Sequence, residues 1–136
     1  MQLETVETFS QWLEQSRICL LGSNSDALIS QFSHDVQICT TPFEAPRRGA
    51  AALSQLISEV LPKQQELDLQ FQTIGFRDKT GWAHFSCSFT RPGTDDPVRF
   101  DGVLQLHFTG SHCHKLSAWW HRLEPGQGDL MRDVDA

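Results

Sequence analysis

WAHFSCSFTR (82–91), VRFDGVLQLHF (98–108) and KLSAWWHR (115–122) are the stretches that decide the fold. Each is rich in aromatic and β-branched residues and alternates in polarity with a period of two, the pattern of a strand with one buried face. The connections PGTDDP (92–97) and TGSHCH (109–114) carry turn-forming residues. The three segments therefore predict a meander of consecutive antiparallel strands. In the first, Phe85, Cys87 and Phe89 oppose His84, Ser86 and Ser88. In the second, Phe100, Gly102, Leu104, Leu106 and Phe108 oppose Asp101, Val103, Gln105 and His107. In the third, Leu116, Ala118 and Trp120 oppose Ser117, Trp119 and His121.

Upstream, Leu67 to Arg77 alternates as a further strand, and Asp78-Lys79-Thr80-Gly81 reads as the hairpin turn that links it to the meander. Before it lies the clearest helix of the chain, Ala50 to Leu61. Its residues Leu53, Leu56, Ile57, Val60 and Leu61 recur at helical spacing, and Pro62 closes it. TPFEAPRRG (41–49) reads as a loop, and Val36 to Thr40 as a strand. The chain opens with a helix over residues 5–21, capped by Thr5 or Thr8, then a short helix from Asp26 to Phe32 capped by Ser25. The order ααβαββββ is an α+β pattern, not an alternating βαβ one. Strands this long must twist and bend, and Gly102 is the expected bend point. The sheet can then curve around the helices and leave a cavity. The whole of 1–136 is read as one domain with its core over about 5–123, and 124–136 as a polar, frayed tail.

Composition narrows the function. The net charge of −6 opposes binding to nucleic acid or to anionic membranes, and the one adjacent basic pair is Arg47-Arg48. No window is long and apolar enough to span a bilayer. The N-terminus MQLETVETF has no charged and apolar leader, and the four cysteines match no CxxC spacing. These features lead us to expect a cytoplasmic protein with free thiols and no cofactor. With no tyrosine in the chain, a phenolic acid is excluded from any mechanism.

FSHDVQICTTPFEAPRRGAAALSQLI (32–57), WAHFSCSFTR, DGVLQLHF and LSAWWHR together resemble the NTF2-like superfamily, and within it the SnoaL-like and ketosteroid-isomerase-like proteins. Phe32, Asp35, Pro46, Gly49 and Leu53 fall where that pattern expects them. The resemblance implies a cone of three helices, all in the N-terminal half, packed on a strongly curved, mostly antiparallel sheet, often dimerised through its outer face. It places the ketosteroid-isomerase base at Thr40 and that enzyme's second acid at Leu104, so neither catalytic group is present. Its pocket tryptophan falls at Trp120. A steroid-isomerase mechanism is therefore not expected, because neither a threonine hydroxyl nor a leucine can carry those proton transfers.

The candidate ligand-lining residues are Thr40, Phe43, Phe100, Leu104 and Trp120, around a pocket for a small apolar or aromatic molecule. His107, Trp119 and His121 are the candidate homodimer interface, tryptophan being enriched at such centres. His84 and Asp101 on neighbouring strands are the candidate acid/base pair, with a cross-strand surface pair as the plainer reading. His34 and Asp35, at the end of the second helix, are placed at a pocket mouth or in solvent. His112-Cys113-His114 at a hairpin tip gives poor tetrahedral geometry, so no metal is expected there. At such a tip an exposed Cys113 would be the first thiol to oxidise. Three functions follow: a small-molecule-binding protein; a cofactor-free isomerase, dehydratase or cyclase; or a protein-interaction subunit.

Overall fold

The protein's structure, a computed structural model, describes residues 3–22, 24–41, 43–60, 65–90, 93 and 97–123. Helix α1 (Val6–Leu21) starts at Thr5, whose side chain accepts from the Thr8 backbone while the Thr8 hydroxyl serves the Thr5 backbone, a reciprocal cap. Its apolar stripe of Phe9, Trp12 and Leu13 is buried. Helix α2 (Ser25–Ile29) is shorter than its apolar run suggested. Asn24, not Ser25, caps it by accepting from Ala27. Phe32 leaves the helix because it opens β1 (Phe32–Cys39) and packs its ring edge-on against Trp12, 5.4 Å away. His34 and Asp35 accordingly lie within a strand, and both are exposed.

The loop expected at TPFEAPRRG contains a two-residue strand, β2 (Arg47–Arg48), paired antiparallel with Gln37 and Ile38. Nothing local favours it; the pairing comes from the tertiary fold. Gly49 then turns the chain at a φ of 94° and donates to Val36 O, which sets the start of α3 (Ala50–Val60). Pro62, expected to close this helix, lies outside the described residues, as do most of PGTDDP and the whole 124–136 tail.

Four long strands complete the sheet: β3 (Gln65–Arg77), β4 (Thr80–Thr90), β5 (Pro97–Thr109) and β6 (His112–Leu123). Both of the tight turns are shorter than the sequence suggested. Asp78 and Lys79, both at positive φ, form the first, and Thr80 and Gly81 are already strand. Gly110 and Ser111 form the second, so His112, Cys113 and His114 belong to β6.

The sheet is open and mixed, in the order β2-β1-β6-β5-β4-β3. The meander is antiparallel as expected, but β1 joins it by pairing parallel with β6. All three helices pack on one face, where Phe9, Trp12, Leu13, Leu28 and Leu53 share a core with Ala83, Leu106, Phe108 and Leu116. The register shift between Thr73 and Gly75 leaves Ile74 as an extra, exposed residue. The bulge bends β3 and lets Phe76 turn back inward to meet Phe9 at 5.5 Å. Arg17 ties α1 to this strand by donating from Nε to Leu69 O at 2.8 Å. The α+β architecture with helices on a curved sheet is thus as the sequence indicated.

Candidate functional site

Between the helices and the inner sheet face lies a cavity of about 150 Å³. Helix α1 contributes Trp12, Leu13 and Ser16, α3 contributes Leu53, Leu56 and Ile57, and the sheet contributes Phe71, Phe85, Leu104, Leu116 and Trp120 among others. The alternation of β5 and β6 puts Leu104 and Trp120 there. A void of about this size lined by aliphatic and aromatic side chains is dry and takes a benzene-sized guest.

Polar groups in the lining are few. The Ser16 hydroxyl is held by Trp12 O at 3.1 Å and Gln31 Oε1 at 3.0 Å, and Gln31 Nε2 donates to Trp12 O at 3.2 Å. Burial, reinforced by Asp68, pushes the Cys87 thiol up to about 11, so it stays neutral at ordinary pH. Trp12 is 3% exposed, and its Nε1 is a buried side-chain polar atom with no hydrogen-bond partner among the described residues. Such an orphan costs about 1–3 kcal/mol. In the sequence Trp12 is one apolar residue of a helix; only its surroundings in the fold distinguish it.

The other expected lining residues lie elsewhere. Phe43 is 93% exposed on its loop, and Thr40, just past β1, does not border the cavity. Phe100 is buried in a second cluster with Leu69, Phe85, Phe89 and Val98, stacked on Phe89 at 6.0 Å and covered by the Arg122 guanidinium at 5.4 Å. The face assigned to it is right, but it lies further along the sheet than the cavity.

His84 and Asp101 do meet, Nε2 to Oδ1 at 2.8 Å, as a cross-strand pair on the outer sheet face. Their side chains are substantially exposed and turned away from the inner cavity, so they form a surface pair and not an acid/base couple at that site. A second, polar groove of about 450 Å³ lies beside them, bordered by Asp68, Ser86, Arg99, Asp101 and His121. His107 accepts from or donates to the Thr80 hydroxyl at 3.1 Å. Burial, Lys115 and His114 together hold its imidazole below the usual range. Trp119 is 54% exposed on the same outer face, and His121 is exposed beside it.

The trio at 112–114 is divided by the pleat of β6. Cys113 is 0% exposed and turned into the core, while His112 and His114 are exposed. Exposure of Cys113, the condition under which it would oxidise first, does not hold: a register shift at His114 sets Cys113 opposite the inward-facing Phe108 and buries it. Burial pushes its thiol up to about 12. Among the described residues no group of three or more His, Cys, Asp or Glu is placed to hold a metal ion.

Two consequences can be measured. At pH 8, mass spectrometry after maleimide treatment of the folded protein should find Cys19 and Cys39, which are part-exposed, modified well before Cys87 and Cys113. Labelling of Cys113 at the rate of Cys39 would contradict this burial. The unfolded chain releases these protons near the ordinary value of 9.0, whereas the folded thiols hold them to about 11 and 12. Their contribution to stability is therefore whole below pH 9.0 and is lost as pH rises above it.

No protein-family model matches the sequence, and no curated protein matches it. Solved structures do. A putative isomerase from Bacillus subtilis aligns with a TM-score of 0.71 and 17% identity over 88% of this chain and 90% of that one. An NTF2-like protein from Burkholderia xenovorans LB400 aligns at 0.65 and 12% identity over 87% and 92%. A Mycobacterium tuberculosis protein in complex with estradiol-17β-hemisuccinate aligns at 0.67 and 11% identity over 87% and 95%. Identities this low establish a shared fold and leave the chemistry to the residues. No helix among the described residues is long and apolar enough to cross a membrane.

Proposed function

We propose that this chain, which has the NTF2-like fold, binds a small, neutral, apolar molecule in the cavity between its helices and the inner face of its sheet. The observation that carries this reading is the lining itself: an apolar void whose described residues include no carboxylate, imidazole, ammonium or guanidinium group. General acid-base chemistry needs a titratable group within reach of the substrate, and the one ionisable group in the lining, the Cys87 thiol, is held neutral. An isomerase, dehydratase or cyclase acting in this cavity is disfavoured on that ground. A neighbour of the same fold in complex with a steroid ester supports a small-molecule-binding role. A void of about 150 Å³, however, is too small for a steroid as it stands, since drug-sized ligands occupy roughly 300–1,000 Å³. The guest is about one ring in size.

Native mass spectrometry of freshly purified protein, with and without mild activation, tests the reading. The expected result is a small neutral mass lost on activation, or a rise in melting temperature with single-ring neutral aromatics, and both should weaken in Ala118→Leu, which narrows the cavity. A bare protein that no such compound stabilises would overturn it.

The outer face supports a second, separate reading, that the protein is a homodimer. Trp119 is a large aromatic more than half exposed on that face, directly opposite Val103 on β5. Trp119→Glu is expected to convert a dimer to a monomer in sedimentation equilibrium. A wild-type monomer, or a dimer indifferent to the change, would refute the assignment.

A further inference from the structure

We propose that His107 and His114 form a binding site for a divalent transition-metal ion, copper(II) above zinc(II), on the outer face of the sheet. The site is separate from the inner cavity and does not depend on what that cavity binds.

A register shift creates the pair. His107 stands opposite Lys115 and Phe108 opposite Cys113, so His114 is left over as the extra residue of a bulge in β6. Bulges re-aim side chains. This one lays the His114 ring beside that of His107, centroid to centroid at 6.2 Å with 39° between the planes. Leu106 and Phe108 point into the core on either side of His107, so its ring lies on the outer face. His114 is exposed, and its ring has no hydrogen-bond partner among the described residues.

Thr80 decides which nitrogen His107 offers. Its hydroxyl, on β4, meets Nδ1 at 3.1 Å. The two nitrogens of an imidazole lie on opposite sides of its Cβ–Cγ axis. With Nδ1 turned towards β4, Nε2 is turned outward and towards β6, the strand that carries His114. The hydroxyl can accept from Nδ1–H, and Nε2 then holds the bare lone pair that a metal ion needs. A hydrogen bond on the far nitrogen is the usual support of a ligating histidine.

The pair also selects its ion. A metal held at about 2.0–2.1 Å from both nitrogens keeps the ring centres roughly 4.5–6.5 Å apart, depending on the angle at the metal. The observed 6.2 Å falls within that span. Imidazole ligands suit copper or zinc and not calcium or magnesium, and copper(II) binds them most tightly of the first-row divalent ions. Water completes the coordination, because among the described residues no third His, Cys, Asp or Glu is placed to join. One neighbour opposes the ion: Lys115 faces His107, and its ammonium disfavours positive charge there.

The test is calorimetric titration of the untagged full chain with copper(II) and zinc(II) chloride at neutral pH. The wild type is expected to bind a single copper ion per chain, and zinc more weakly. His107→Gln and His114→Gln should each weaken copper binding by at least roughly tenfold, since even partners outside the coordination sphere are worth about 10–100-fold. Lys115→Gln keeps both rings, removes the charge and should bind more tightly. His34→Gln, an exposed position on β1, should bind as the wild type does. Electron spin echo modulation of the copper complex should show two imidazoles in the wild type and fewer in His114→Gln, whose exposed site leaves the core intact. Binding unchanged in either His107→Gln or His114→Gln, binding lowered as much by His34→Gln, or a wild-type spectrum with one imidazole would mean an adventitious ion only and would overturn the proposal. A wild type that takes up no copper would overturn it as well.

Discussion

Phe9→Ala is expected to lower stability by about 3–5 kcal/mol, the range for emptying a buried phenylalanine site. The ring is 0% exposed and sits where α1 crosses the bent end of the sheet. It touches Phe76 at 5.5 Å and Phe108 at 5.8 Å. It also lies so close over Gly81 that any side chain there would strike it. The strand has given up a side chain at Gly81 to admit this ring, so no neighbour can collapse into the space it leaves. For a domain with about 5–15 kcal/mol in hand, the loss is a large fraction of the total. A fall in melting temperature of about 10–20 °C is the corresponding signal in a thermal scan. A shift within a few degrees would mean that α1 can settle onto the sheet without this ring, and the packing described for it would be wrong.

Gly102→Ala is expected to cost about 3 kcal/mol, the upper end of what overpacking does. Gly102 stands between Phe85 on β4 and Trp120 on β6. A Cβ there would collide with the Trp119 carbonyl oxygen and lie 2.7 Å from Trp120 Cβ and 2.8 Å from Trp120 Cα. Two of these three atoms are backbone, so relief requires β5 and β6 to part locally. The damage also reaches the cavity, because Trp120 lines it. Urea unfolding should show a lower midpoint with an unchanged slope. The idea fails if the alanine variant unfolds within about 0.5 kcal/mol of the wild type, the ordinary scatter for a harmless substitution.

The inner and outer faces of the meander were legible because alternation is a local property: Phe85, Leu104 and Trp120 point inward for the same reason that His84, Asp101 and Trp119 point outward. Gly102 was legible as a special position because glycine in the middle of a strand needs a reason, although the reason is the close approach of Trp119 and Trp120. What could not be read is what depends on distance along the chain. β2 exists only because β1 lies beside it. Cys113 was read as the thiol of an exposed tip because TGSHCH is polar and turn-like, whereas the turn needs only Gly110 and Ser111, His112 and Cys113 pair with Thr109 and Phe108, and a register shift at His114 turns Cys113 inward. The cavity was anticipated at the level of faces but not of depth, so Leu104 and Trp120 border it and Phe100, two pleats from Leu104, does not. The orphan N–H of Trp12 had no signal at all in the sequence, since nothing in a helical apolar stripe says which ring edge will lack a partner.

The parallel pairing of β1 with β6 sets an order of events during synthesis. Phe32–Cys39 is made early, yet its long-range ladder partner, His112–Leu123, is the last described strand to emerge. Until then α1 can lie on β3, β4 and β5 through Phe9 and Trp12, but β1 and the helix α3 packed on it have no finished sheet to join. Closing so distant a contact is slow, and a nascent chain that shows aromatic surface while it waits is the kind that aggregates or engages chaperones. Truncation anywhere before β6 would thus remove the strand on which β1, and through it α3, depends, and ribosome-bound chains of increasing length should gain protease resistance over Phe32–Val60 in one late step.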